Sequence, residues 1–160
     1  MTNRLDRRWL LKQGGRLAPL IGLGALAAPA AASAGTATPP QRFTLVGSWS
    51  VEITFPANPA VPAVRGLFAF TSDKLLVCTN VRVRDLGTGT WKEVSNTGIS
   101  YTFHHFMYDE QGTWVGTMHV VQNGHLTSAN TWTASGSGTS FDTSGNETGT
   151  IRSATTGIRF

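Results

Sequence analysis

The sequence predicts an all-β domain, a single antiparallel up-and-down barrel of about eight to nine strands. Three observations carry that expectation. After residue 41 the apolar residues recur with period two, and helical spacing appears nowhere in the body. The apolar runs are short and end in Gly, Asn, Asp or Ser. Successive runs are joined by tight turns with no room for a helical crossover, so neighbours must pair antiparallel, and closing the sheet removes its exposed edges. Composition agrees. With 18 Gly, 7 Pro and 14% charged residues in 160, a charged rod or coiled coil is excluded, and 40% apolar content suits one core.

The elements follow in order. In Gly47 to Phe55, Trp49, Val51, Ile53 and Phe55 alternate with Ser50, Glu52 and Thr54, the pattern of a half-buried strand. Pro56, Pro59 and Pro62 mark a loop, after which Val64 to Thr71 resumes with Phe68 and Phe70 on one face. Thr71-Ser72-Asp73 turns into a strand from Lys74 to Val83, and Asp85 to Gly89 turns into Thr90 to Ser95. Asn96-Thr97-Gly98 leads into Ile99 to Tyr108, and Asp109 to Gly112 into Thr113 to Val121. The remaining strands are expected at His125 to Thr133, Ala134 to Phe141 and Glu147 to Phe160.

The formal charge of +4 is confined to the first 34 residues, where Arg4, Arg7, Arg8, Lys12 and Arg16 outweigh Asp6. From Gly35 onward 8 basic residues balance 8 acidic ones, so the body offers no electrostatic case for nucleic acid. Asp6-Arg7-Arg8-Trp9-Leu10-Leu11-Lys12, the small-residue apolar run Leu17 to Ala28, and Ala32-Ser33-Ala34 together resemble a twin-arginine signal peptide with an A-x-A cleavage site. That resemblance implies a leader over residues 1–34, a partnership with the twin-arginine translocase, and export to the periplasm or beyond with no stable membrane anchor. Residues 35–41 read as a flexible Pro- and Thr-rich linker, and the domain as residues 42–160.

Gly47-Ser48-Trp49 on the first strand and Arg159 on the last resemble the calycin superfamily of lipocalin-like barrels. So do Phe103 to Gly112 and Gly149-Thr150-Ile151, which are similar to segments of small bacterial lipocalin-like proteins. The resemblance implies a barrel whose first-strand Trp packs beneath a last-strand Arg. Physically, a guanidinium can stack on the indole face while hydrogen-bonding to backbone carbonyls, so a Trp49 to Arg159 contact is expected.

All four histidines fall between His104 and His125. A four-residue hairpin loop at Asp109 to Gly112 would set Phe103, His105 and Met107 on one face with Met118, Gly116 and Trp114. That face is nearly all apolar and is expected to point inward, with Tyr101 sharing it. His104, Phe106, Tyr108, Thr113, Val115, Thr117 and His119 would lie outside. A buried imidazole needs a partner, and Tyr101, Glu93, a water or a ligand would serve His105. His104 and His119 lie diagonally within reach of one metal, but with no third ligand at a clear spacing no metal is expected. No haem attachment motif, nucleophile elbow or phosphate loop is present, and no cofactor is expected. Cys78, the sole thiol, lies in an apolar strand and reads as buried and inert.

The expected function is therefore a secreted barrel that binds a small hydrophobic molecule in its interior. Tyr101, Phe103, His105, Met107, Trp114 and Met118 are the candidate wall residues, and His105 orients the ligand. A cyclase or isomerase using His105 with Tyr101 or Glu93, and a filled barrel with a structural role, are the alternatives. The run of small residues from Ser135 to Ser140 speaks against a filled interior. The aromatic outer face at Phe106 and Tyr108 allows a homodimer.

Overall fold

The computed structural model describes residues 42–83 and 85–160. The expectations for the leader and the linker lie outside the described residues. Eight strands follow one another: β1 (Gly47–Thr54), β2 (Val64–Phe70), β3 (Leu75–Asn80), β4 (Gly87–Glu93), β5 (Gly98–Tyr108), β6 (Trp114–Leu126), β7 (Thr131–Phe141) and β8 (Glu147–Arg159). Each pairs antiparallel with the next, and β8 closes on β1, so the sheet is an up-and-down barrel. Period-two alternation builds it. Along β1, Trp49 and Val51 are buried while Ser48, Ser50 and Glu52 are exposed, and the same alternation runs along β2.

Two expected boundaries are corrected. No strand spans His125 to Thr133, because β6 continues through Leu126 and the chain reverses at Thr127 to Asn130, where the amides of Thr127 and Ser128 both donate to Thr131 O. The short polar side chains tighten that turn, since Ser128 Oγ also accepts from Asn130 N. The ninth strand is thereby absorbed into β6 and β7. The segment Gly87 to Gly89, expected as a turn, opens β4 instead. Its glycines fit there because a Cβ on Gly89 would strike the Thr102 carbonyl, and one on Gly87 would crowd Cys78.

One end of the barrel is closed by Trp49 and Arg159. The Arg159 guanidinium carbon sits 4.1 Å from the Trp49 ring centre, and its nitrogens donate to the carbonyls of Ala129, Val46 and Thr44. Trp49 Nε1 in turn donates to Leu45 O at 2.8 Å. The glycine of Gly47-Ser48-Trp49 has a definite reason. Its φ is +135°, and a Cβ there would collide with Arg159 Nη1.

Above this closure lies a packed aromatic layer. Trp49 meets Trp132 edge-on at 6.3 Å, and Phe70 contacts Trp91, Tyr101 and Trp132 at 5.8 to 5.9 Å. Leu45, Leu76, Ile99 and Leu126 fill the gaps. Each such fully buried side chain contributes roughly 1.5–3 kcal/mol of transfer free energy, and edge-on rings add to it. This half of the barrel is solid.

Candidate functional site

Toward the opposite end the interior is not filled. A cavity of about 190 Å³ lies between the upper turns of the strands. Ile53 and Val64, from β1 and β2, join Phe68 of β2, Phe103 of β5, and Met118 and Val120 of β6 in an apolar wall. Phe68 and Phe103 meet edge-on at 5.6 Å, forming an aromatic corner of the wall. The void arises where β7 and β8 supply small inward residues, Gly138, Ser153 and Thr155, opposite those rings. Gly138 belongs to the small-residue run that spoke against a filled interior. Asn80, Arg82 and His105 stand at the mouth.

The wall formed by β6 and β8 carries a polar chain. The Tyr101 hydroxyl donates to Gln122 Oε1 at 2.8 Å, and Gln122 Nε2 donates to Ser153 Oγ at 2.9 Å. Gln122 and Thr155 are each only 2% exposed, and Ser153 is buried with them. Thr155 Oγ1 lies beside the phenol yet makes no hydrogen bond of good geometry. Burial pushes the Tyr101 phenol well above its ordinary value, a rise the Thr155 hydroxyl only partly offsets, so the phenol stays protonated and acts as a donor.

The sequence-predicted residues separate into three groups. Phe103, His105 and Met118 line the cavity. Tyr101 sits one layer lower, in the aromatic core, and reaches the site through Gln122. Met107 lies beyond the mouth, in an adjoining depression with Arg82, Val83, Asp109 and Glu110. Trp114 is a correction. It was expected to face inward, but it is 46% exposed and packs edge-on against Phe106 at 6.2 Å on the outer surface.

A β-bulge explains the difference. The ladder pairs His105 with Met118 and Met107 with Gly116, then shifts so that Tyr108 pairs with Trp114. One extra residue in β6 turns Trp114 to the opposite face from the one that unbroken alternation assigns. Gly116 makes the bulge possible, with φ of +149° and the Phe141 carbonyl occupying the space a Cβ would need. The connection also differs from the expected four-residue loop, since β5 ends at Tyr108 and β6 begins at Trp114, with Asp109 N donating to Thr113 O and Asp109 Oδ1 accepting from Thr113 N.

Neither Tyr101 nor Glu93 hydrogen-bonds to His105. Its Nδ1 lies 3.1 Å from Phe106 O, while Glu93 pairs with Lys74 at 3.2 Å on the outer surface. His104 and His119 are directly opposite rather than diagonal, their rings stacked at 4.2 Å and nearly parallel. His119 Nε2 is 2.7 Å from Thr102 Oγ1. Among the described residues no group of three or more His, Cys, Asp or Glu side chains is placed to hold a metal ion. Cys78 is buried. Desolvation first, and then the charge of Asp85, push its thiol up to about 12, so it holds its proton at neutral pH and is a poor nucleophile.

Sequence reasoning missed Gln122, Ser153 and Thr155. The signal was present, since alternation from Met118 through Val120 brings Gln122 inward, and alternation back from Gly157 brings Thr155 and Ser153 inward. Polar residues on an inner face interrupt the apolar alternation that marks such a face. No known family model matches the chain, and no curated protein is significantly similar to it in sequence.

Proposed function

We propose that this barrel is a binding module that holds one small, largely apolar molecule in its upper cavity. The observation that carries the reading is the contrast within one barrel: a solid aromatic half beneath a void of about 190 Å³ with apolar walls. An apolar cavity of about 150 Å³ accepts benzene, so a molecule of one ring or a short branched chain fits this one. A long flexible substrate does not. The cyclase alternative draws no support from the placement of Glu93, and the cavity weighs against a filled structural barrel.

We also propose that the domain is calycin-like, on the strength of the Trp49–Arg159 closure. We propose further that it reaches its place of action through the twin-arginine translocase. The Asp6 to Lys12 motif and Ala32-Ser33-Ala34 support that route.

The test is native against denaturing mass spectrometry, with an absorbance spectrum, on protein recovered from an exporting host. The expected result is a reproducible bound mass that disappears on denaturation and is weakened by His105→Ala at the mouth. A bare mass, together with no shift in melting temperature on adding a panel of one-ring compounds, would overturn the binding reading.

A further inference from the structure

The polar chain in the cavity has a direction, and the direction specifies what the cavity takes. Tyr101 O–H donates to Gln122 Oε1, and Gln122 Nε2 donates to Ser153 Oγ. Each link is donated in the direction of the void. At the end of the chain the Ser153 hydroxyl proton and the second N–H of Gln122 have no acceptor among the described residues. Beside them Thr155 Oγ1, 98% buried, lies against the Tyr101 phenol without a hydrogen bond of good geometry. Buried donors without acceptors cost on the order of 1–3 kcal/mol each, and native structures rarely leave several together. All three residues line the same cavity.

We infer that the bound molecule carries an uncharged hydrogen-bond acceptor, a carbonyl or ether oxygen, seated against Gln122, Ser153 and Thr155, with its apolar body against Phe68 and Phe103. This deepens the small-molecule reading and rests on it. Charge argues for neutrality. The lining residues include no carboxylate, and the side chains that can carry positive charge, Arg82 and His105, stand at the mouth rather than beside the donors. Arg82 is further engaged, donating to Pro62 O at 3.0 Å. A carboxylate pushed down to Ser153 would be desolvated without a counter-ion, which is costly. A carbonyl there meets up to three donors at no such cost. A molecule that only donates could use the Ser153 and Thr155 oxygens but would leave the free Gln122 N–H without an acceptor.

The experiment compares three probes of nearly one shape on the full chain by calorimetry and ligand-observed NMR: ethylbenzene, acetophenone and benzoate. Acetophenone is expected to bind at least tenfold more tightly than ethylbenzene, and more tightly than benzoate. Thr155→Val, which keeps the side-chain shape, and separately Ser153→Ala, should each shrink the preference for acetophenone over ethylbenzene several-fold. Equal affinity for ethylbenzene and acetophenone would overturn the inference while leaving the cavity reading standing. Benzoate binding most tightly would overturn the assignment of an uncharged group. Binding by none of the three would overturn the small-molecule reading and this inference with it. Because the wild-type preference is itself decisive, the conclusion does not depend on either variant folding.

Discussion

The two halves of the barrel share one backbone plan and differ in what their inward positions hold. In the lower half Trp49, Phe70, Trp91 and Trp132 interlock with Leu45, Leu76 and Ile99, and the interior is packed. In the upper half the same strands present Gly138, Ser153 and Thr155 across from Phe68 and Phe103, and the interior is a void. The lesson is a division of labour along one axis. Packed aromatics hold the barrel closed, and that surplus lets the other half forgo packing in favour of a site with underused polar groups.

The sharpest way to break this comparison is to hollow the lower half. Trp132→Ala should destabilise the protein by about 3–5 kcal/mol, the range for removing a buried Trp or Phe, read as a fall in the denaturant midpoint with unchanged slope. A loss under 1 kcal/mol would mean the lower half is not the stabilising one. Arg159→Met keeps much of the apolar stem over Trp49 but removes the three hydrogen bonds to Ala129, Val46 and Thr44. It should cost about 2 kcal/mol, given partly exposed charged hydrogen bonds and a lost cation–π contact.

The reciprocal change fills the upper half. Val120→Phe grows into the cavity, so stability should move by less than about 1 kcal/mol, because the added ring meets space rather than packed atoms. Small-molecule uptake should fall at least tenfold by calorimetry. A large loss of stability would show that the void is not free in solution.

The smallest effect lies outside both halves, at the stacked His104–His119 pair. Burial and the facing His119 both penalise the His104 cation, so its proton affinity in the folded protein is below the ordinary value of 6.5. As pH falls through that range the unfolded chain takes up the proton first. The His104 contribution is therefore present above about pH 6.5 and lost as the solution is acidified below it. Screening at the surface should limit it to a few tenths of a kcal/mol. His119→Asn should flatten the melting-temperature profile over this interval, and an unchanged slope would assign the pH dependence to other groups.

Much of the architecture was legible because it rests on local rules. Alternation in β1, β2 and β5, the proline-marked loop after Phe55, and the pairing of Trp49 with Arg159 all follow from residue types and spacing. The site was legible in part. Phe103, His105 and Met118 lie on uninterrupted stretches of alternation and were placed at the cavity, whereas Trp114 lies past a bulge that reverses its face. Gln122, Ser153 and Thr155 were not legible, because polar residues at buried inner positions break the apolar pattern by which an inner face is read.

By itself, then, the sequence determined the strand period, the antiparallel order and the residues that close one end, because each depends on contacts between neighbouring strands. Only the tertiary structure decided which half is solid and which is hollow. That depends on the summed volumes of side chains from all eight strands meeting at one level of the barrel, which no single strand's pattern contains. It also decided the fate of Trp114, since the bulge at Gly116 exists where the Phe141 carbonyl comes close enough to need a missing Cβ.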